Sequence, residues 1–326
     1  MGIVKVEFEN IKSLSNIYLS LEDLNVLVGV NGTGKSHIQK FIKYFYDNLI
    51  DKNIESDVFD KENPYNDYMK ISIKYNLSNF LKISQHNDNI FNNILDLLDD
   101  LDEVKVTMIQ YKNNTIEWNC TYEQRKVIKY LFPFYLIDVR NIKLFDWENI
   151  WNLIGDLGQK RSIEENNFLL ELDSLLKKIY GDKFTQNIFG LKTELEKLGY
   201  GMEVYKNNEK FKQLNKIIFN GESFNYNNRN LDFYSTGSNS FNYLRIFYLV
   251  LSKLHKEKFK EPLVILDEPE IGLHPTYIDQ LIKYITTCEG KIQTILSTHS
   301  SRILKATIVQ DNVNVFQISN KKTTRL

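Results

Sequence analysis

Apolar positions alternate from the first residues of the chain. Val4, Val6 and Phe8 interleave with Lys5 and Glu7, and Ile17 to Leu21 alternates again, a period of two that predicts two early strands. Leu24 to Val28 is apolar except for Asn25, the pattern of a central strand covered on both faces. Past Gly34 the period changes. Ile38, Phe41, Ile42, Phe45 and Leu49 recur at three- and four-residue spacing, so a strand, a loop and a helix follow in direct succession. The polar stretch 50–67 reads as an exposed connection. Met69 to Tyr75, Phe80 to Ser84 and Val104 to Trp118 read as antiparallel strands with a short helix around Ile90 to Leu101, and Phe132 to Val139 as a further strand. Glu164 to Tyr180 and Ile188 to Leu198 carry helical periodicity, which Gly181 and Gly190 interrupt before it could sustain a long coiled coil. From Phe241 onward helix and strand alternate, as a parallel sheet requires. The expected organisation is an α/β fold with a mixed central sheet and an antiparallel β subdomain. An N-terminal lobe spans 1–142, a helical insertion 143–215 and a C-terminal lobe 216–326.

The loop after Leu24 to Val28 carries the first chemistry. Gly29-Val30-Asn31-Gly32-Thr33-Gly34-Lys35-Ser36 fits G-x-x-x-x-G-K-[ST], with a predicted strand before it and a predicted helix behind it. Glycines let backbone N–H groups approach phosphates closely, and a helix N-terminus adds a partial positive charge. Lys35 is then expected to reach the β- and γ-phosphates of ATP, the Ser36 hydroxyl to bind Mg2+, and His37 to sit on the phosphate-binding helix itself. A second motif, Leu263-Val264-Ile265-Leu266-Asp267-Glu268, ends a buried strand in two acids, where ligands bind in open α/β sheets. Asp267 suits a magnesium role and Glu268 the polarising of an attacking water. A third strand, Gln293 to Ser297, ends in Thr298-His299-Ser300; it is expected beside the acid-bearing strand, with His299 contacting the γ-phosphate.

Composition narrows the class. Lys and Arg total 41 against 42 Asp and Glu, a net charge of -1, so no global basic field attracts nucleic acid or anionic lipid, though a local patch remains open. Cys120 and Cys288 stand far apart without zinc spacing, and His37, His86, His255 and His274 form no metal-ligand pattern. The apolar runs fall short of the roughly 20 residues a bilayer span needs, so a soluble, cytoplasmic protein without membrane contact is expected. Trp147 and Trp151, four apart, read as a packing pair rather than a nucleobase platform.

Together, Gly29 to Ser36, the run Asp267-Glu268-Pro269-Glu270-Ile271-Gly272-Leu273-His274-Pro275 and His299 resemble an ABC-type ATPase head. The D-E-P-E-x-x-L-H-P run is similar to that of the OLD (overcoming lysogenisation defect) and related bacterial defence ATPases. The resemblance implies a head-to-head dimer around two MgATP, with a signature loop acting on the nucleotide of the opposite subunit. Tyr234-Ser235-Thr236-Gly237-Ser238 is the candidate: Ser235 and Gly237 match the family's pattern of Leu, Ser, Gly, Gly and then Gln or Glu, and Thr236 and Ser238 depart from it, while Ser235 also reads as an ordinary helix N-cap. Arg140, after the strand ending at Ile137, stands where other heads carry the Q-loop glutamine, and Gln110 is the weaker candidate. OLD proteins carry a C-terminal nuclease domain. Few residues follow His299 here, so the effector is expected on a separate polypeptide. The alternatives are a DNA-repair or chromosome ATPase of the RecF or SMC kind, and a nucleotide-gated scaffold with little turnover.

Overall fold

The computed structural model describes the chain except for residues 1, 13, 15, 31, 60–64, 83–93, 140–143, 156–170, 172–173, 176, 180, 200–212, 214, 222–223, 232–233, 258–259, 288–290, 311, 320–321 and 326. It divides into two compact units, one of Met1–Ile150 with Ser223–Leu326 and one of Trp151–Glu222.

In the first unit the strands β1 (Ile3–Glu9), β2 (Ile17–Ser20) and β3 (Leu24–Val28) lead into helix α1 (Lys35–Asn48). There follow β4 (Tyr68–Asn76), the short helix α2 (Ser78–Leu81), β5 (Glu103–Tyr111), β6 (Ile116–Trp118), α3 (Tyr122–Leu131), β7 (Phe134–Asp138) and α4 (Leu144–Gly155). The second unit contains α5 (Asp182–Lys197). The chain then returns through the hairpin β8 (Asn225–Tyr226) and β9 (Arg229–Asn230), the long helix α6 (Thr236–Lys256), β10 (Leu263–Asp267) and the single turn α7 (Pro269–Gly272). It closes with α8 (Pro275–Thr287), β11 (Gln293–Thr298), α9 (Ser301–Ile308), β12 (Val313–Ser319) and β13 (Lys322–Arg325).

Two sheets form. One is antiparallel, in the order β2-β1-β4-β5-β6, and shows the half-buried alternation expected of a sheet with one covered face. The other runs β13-β12-β3-β11-β10-β7 and is parallel except for its edge pair β12–β13. Its inner strands β3 and β10 read as nearly continuous apolar runs because both of their faces are covered, and β10 and β11 are buried almost throughout. Phe41, Ile42 and Phe45 of α1 join Val6, Ile71 and Met108 of the antiparallel sheet and Leu27, Ile265 and Ile295 of the parallel one in a single apolar core. The helix that opens at the phosphate-type loop is therefore fixed by burial of one whole side, each large side chain contributing roughly 1.5–3 kcal/mol.

Several local expectations are corrected. The run from Phe80, read as a strand, opens inside helix α2: the Asn76 carboxamide accepts from the Ser78 amide at 3.1 Å, turning the chain, while Phe80 meets Phe132 edge-on. The run Val104 to Trp118 is two strands joined at a turn where Asn114 adopts a positive φ of 65°. Helix α3 was not expected at all, although Thr121 and Gln124 close a reciprocal capping box at its start. Gly190 does not interrupt its helix. The break is at Gly181, with α5 running from Asp182 to Lys197. Trp151 is buried, with Phe219 edge-on at 5.7 Å and the Lys216 ammonium 6.0 Å from its ring centre, which is a packing role; the side chain of Trp147 lies outside the described residues. Among the described residues no helix is long and apolar enough to cross a membrane.

Candidate nucleotide site

The parallel register lines up the chain ends that carry the motifs. Val28 of β3 pairs with Thr298 of β11, and Asp267 of β10 pairs with Ser297 on one side and Asp138 of β7 on the other. Gly29, Glu268 and His299 each come directly after one of those strand ends, so the glycine loop, the acids and the histidine share the carboxyl edge of one sheet. β11 lies between the loop-bearing and acid-bearing strands, as expected of the strand that ends in His299.

The loop requires its glycines for two different reasons. A Cβ on Gly29 would stand 2.5 Å from the Ile318 carbonyl oxygen and 2.8 Å from the Thr33 hydroxyl, so β12 forms a wall that only glycine clears. Gly34, the residue before α1, has φ 112° and ψ 1°, a left-handed conformation that side chains resist. Thr33 donates its hydroxyl to the Val30 carbonyl at 2.8 Å and tightens the turn, while Val30, Gly32 and Ser36 are exposed. Asn31 lies outside the described residues. Lys35 is 5% exposed and curls back to donate to the carbonyls of Gly29 at 2.8 Å and Val30 at 3.3 Å. Burial pushes its ammonium below the ordinary lysine value, and the opposing pull comes from Glu268, Asp267 and Glu270 in that order. The acids of β10 thus act on the lysine of the loop across the intervening strand. His37 lies edge-on to Phe41 at 6.2 Å, and burial, followed by Lys12 and Lys40, lowers its pKa and favours the neutral ring.

The acid side is built from β10 and β11 together. Asp267 Oδ1 accepts from the Ser297 hydroxyl at 2.7 Å, and the Glu268 amide donates to the Ser297 carbonyl at 3.1 Å. Glu268 itself holds φ 44° and ψ 56°, a left-handed conformation uncommon for a residue with a Cβ and typical of functional positions. Its Oε1 lies 3.3 Å from His299 Nε2, so this carboxylate and the histidine meet side chain to side chain. Glu270 Oε1 accepts from both the Thr298 hydroxyl at 2.7 Å and the His299 amide at 2.8 Å. Ser297 and Glu270 received no role in the sequence reading; the register of β11 on β10 was the missing signal.

A hydroxyl and a carboxylate are the hard oxygen donors that magnesium takes, and Ser36 and Asp267 fit that chemistry. Among the described residues no three His, Cys, Asp or Glu side chains gather into a metal site of their own. When bound, such an ion neutralises charge developing on the phosphate oxygens.

The candidate signature opens α6. Ser235 and Thr236 are exposed, and the Ser235 hydroxyl donates to that of Ser238 at 3.1 Å and accepts from no N–H of the helix, which corrects the side-chain capping role expected of it. Ser238 in turn bonds the Tyr277 hydroxyl at 3.1 Å, and Phe241 stacks on Tyr277 at 4.7 Å, seating this helix end on α8. A Cβ on Gly237 would come within 3.4 Å of the Gly272 carbonyl, so the signature glycine sits against the loop that follows the acids. Arg140 lies outside the described residues; just before it, the Val139 carbonyl accepts from Ser240 at 3.1 Å. Gln110, the weaker candidate, is buried in β5, where its carboxamide oxygen accepts from the Tyr44 hydroxyl at 2.6 Å and its amide donates to the Glu55 carbonyl at 2.9 Å.

Solved structures share this fold. The crystal structure of the SmcHead bound to the C-winged helix domain of ScpA superposes with a TM-score of 0.57 at 15% identity, covering 99% of this chain and 96% of that one. The recombination mediator protein RecF-ATPrS in the RecFOR pathway gives 0.50 at 14% identity, covering 99% and 98%. At such identities the likeness establishes the fold, a P-loop NTPase of the SMC and RecF head type. The ATPase-head fold expected from the motifs is borne out, and the likeness does not distinguish an OLD-type head from the others. A family model described as "AAA domain, putative AbiEii toxin, Type IV TA system" matches residues 46–305, from within α1 through the acids and His299. With the acid strand, the histidine strand and most of the head inside that match, the chain belongs to this AAA domain family.

Proposed function

We propose that this protein binds and hydrolyses ATP with magnesium, closes as a head-to-head dimer around two nucleotides, and uses that closure to gate a separate effector, in the setting of phage defence. The observation that carries the reading is the shared sheet edge on which Lys35, Asp267, Glu268 and His299 meet. Backbone N–H groups of the glycine loop and the first turn of α1 would receive the phosphates. Lys35, released from its two loop carbonyls, would turn to the β- and γ-oxygens. Ser36 and Asp267 would hold Mg2+, Glu268 would orient the attacking water, and His299 would report loss of the γ-phosphate. The Ser235-Thr236-Gly237 end of α6, where Ser235 and Thr236 are exposed, would offer a helix N-terminus to the nucleotide of a partner head. The family description names a toxin of a type IV toxin–antitoxin system, which fits a head that controls an effector.

The RecF and SMC likeness supports a DNA-associated ATPase equally well. The two readings part on nucleic acid. A hydrolysis rate raised by DNA and not by a cognate effector selects the second. The dimer itself is tested by native mass spectrometry of a Glu268→Gln protein, which keeps ATP without turnover. MgATP is expected to double the mass, and an unchanged mass with ATP bound would refute closure.

A further inference from the structure

The acid following Pro269 has no part in the steps above, yet one of its oxygens accepts two hydrogen bonds at the site. Glu270 Oε1 lies 2.7 Å from the Thr298 hydroxyl and 2.8 Å from the His299 amide, gripping the two residues at the end of β11 with a single oxygen. Its Oε2 is buried with no hydrogen-bond partner among the described residues. A buried carboxylate oxygen left unpaired costs free energy. The field of Lys35, which Glu270 helps to hold protonated, opposes that cost. His299 then receives its orientation from two sides: its backbone is tied to Glu270, and its Nε2 faces Glu268 Oε1 at 3.3 Å. Glu268, Pro269 and Glu270 are consecutive, and the positive φ of Glu268 together with the fixed φ of Pro269 makes their spacing rigid. The segment after β10 and the end of β11 are therefore locked as one body.

We infer that Glu270 is a positioning residue, whose carboxylate fixes the backbone of His299 so that the imidazole stays against Glu268. The inference rests on the ATPase reading for its kinetic consequences and on hydrogen bonding alone for its structural ones. Two substitutions separate geometry from charge. Glu270→Gln removes the charge but keeps an acceptor oxygen in reach of both donors. Glu270→Asp keeps the charge but withdraws the oxygens by one methylene.

Hydrogen exchange at the His299 amide is measured first, in the folded protein without nucleotide. Exchange is expected to speed up by about tenfold or more in Glu270→Asp and to stay close to wild type in Glu270→Gln. In steady-state hydrolysis Glu270→Asp is expected to lower kcat by about tenfold with the KM for ATP within about twofold, while Glu270→Gln retains kcat. In a His299→Ala background Glu270→Asp is expected to lower kcat no further. The inference is overturned by unchanged exchange at His299 in Glu270→Asp, by Glu270→Gln falling as far as Glu270→Asp, or by an undiminished effect in the His299→Ala background. Absence of hydrolysis in the wild-type chain would sink the ATPase reading instead, and the exchange measurement would still decide the role of Glu270.

Discussion

Lys35→Ala is expected to abolish ATP binding, weakening affinity by roughly 100-fold or more through loss of charge-assisted bonds to phosphate. Lys35 is the cation on which Glu268, Asp267 and Glu270 all act, and its Nζ is held at the loop by the Gly29 and Val30 carbonyls. Alanine leaves the loop glycines, the α1 N-terminus and the Ser36 and Asp267 side chains in place, so any binding that survives measures what they contribute without the lysine. The acids lose their neighbouring positive charge at the same time, which adds electrostatic repulsion against an incoming triphosphate. Circular dichroism confirms that the variant is folded, and isothermal titration calorimetry reads the affinity. Wild-type affinity in a folded Lys35→Ala protein would move the phosphate site elsewhere.

The second large effect separates binding from turnover. Glu268→Gln is expected to keep nucleotide affinity while cutting kcat by about 100-fold or more, because a glutamine no longer draws a proton from the attacking water. Glutamine has nearly the shape of glutamate, so the left-handed backbone at this position and the Glu268 amide bond to the Ser297 carbonyl are preserved. The loss is thus a chemical one. Hydrolysis at the wild-type rate would assign the base to another residue.

Much of this site was legible because its chemistry is written in contiguous residues. The glycine loop sits between an apolar run and a helical period, and Asp267 and Glu268 directly follow four apolar positions; both patterns survive without knowledge of what they touch. The partners of those residues are a different matter. Ser297, Glu270 and Thr298 acquire meaning only from the register of β11 against β10, and nothing in the periodicity of either strand says that Asp267 pairs with Ser297. The same holds for Gly29. Its motif marks it as a loop glycine, but the wall that excludes a Cβ is the Ile318 carbonyl, 289 positions along the chain in a strand whose place in the sheet was open. Local structure failed where short apolar runs were ambiguous. Phe80 followed by Leu81 suits a strand or a helix equally, and the Asn76 side chain, not the apolar pattern, decides for a helix. The α3 signal was present as Thr121-x-x-Gln124 before an apolar stripe of Val127, Ile128 and Leu131, and it went unread beside the stronger strand pattern that follows.

The central claim is that two heads share each nucleotide, and mixing two inactive variants tests it most directly. Lys35→Ala removes the phosphate grip of a head's own site. Ser235→Arg places a bulky cation at the exposed start of α6, where the native hydroxyl bonds only Ser238 among the described residues, so the fold is preserved. Each variant alone is expected to be inactive. In a mixed dimer one composite site keeps both an intact Lys35 and an intact Ser235, so hydrolysis is expected to reappear on mixing, in proportion to the mixed dimers counted by native mass spectrometry. Mixed dimers that form and hydrolyse nothing would contradict the shared site.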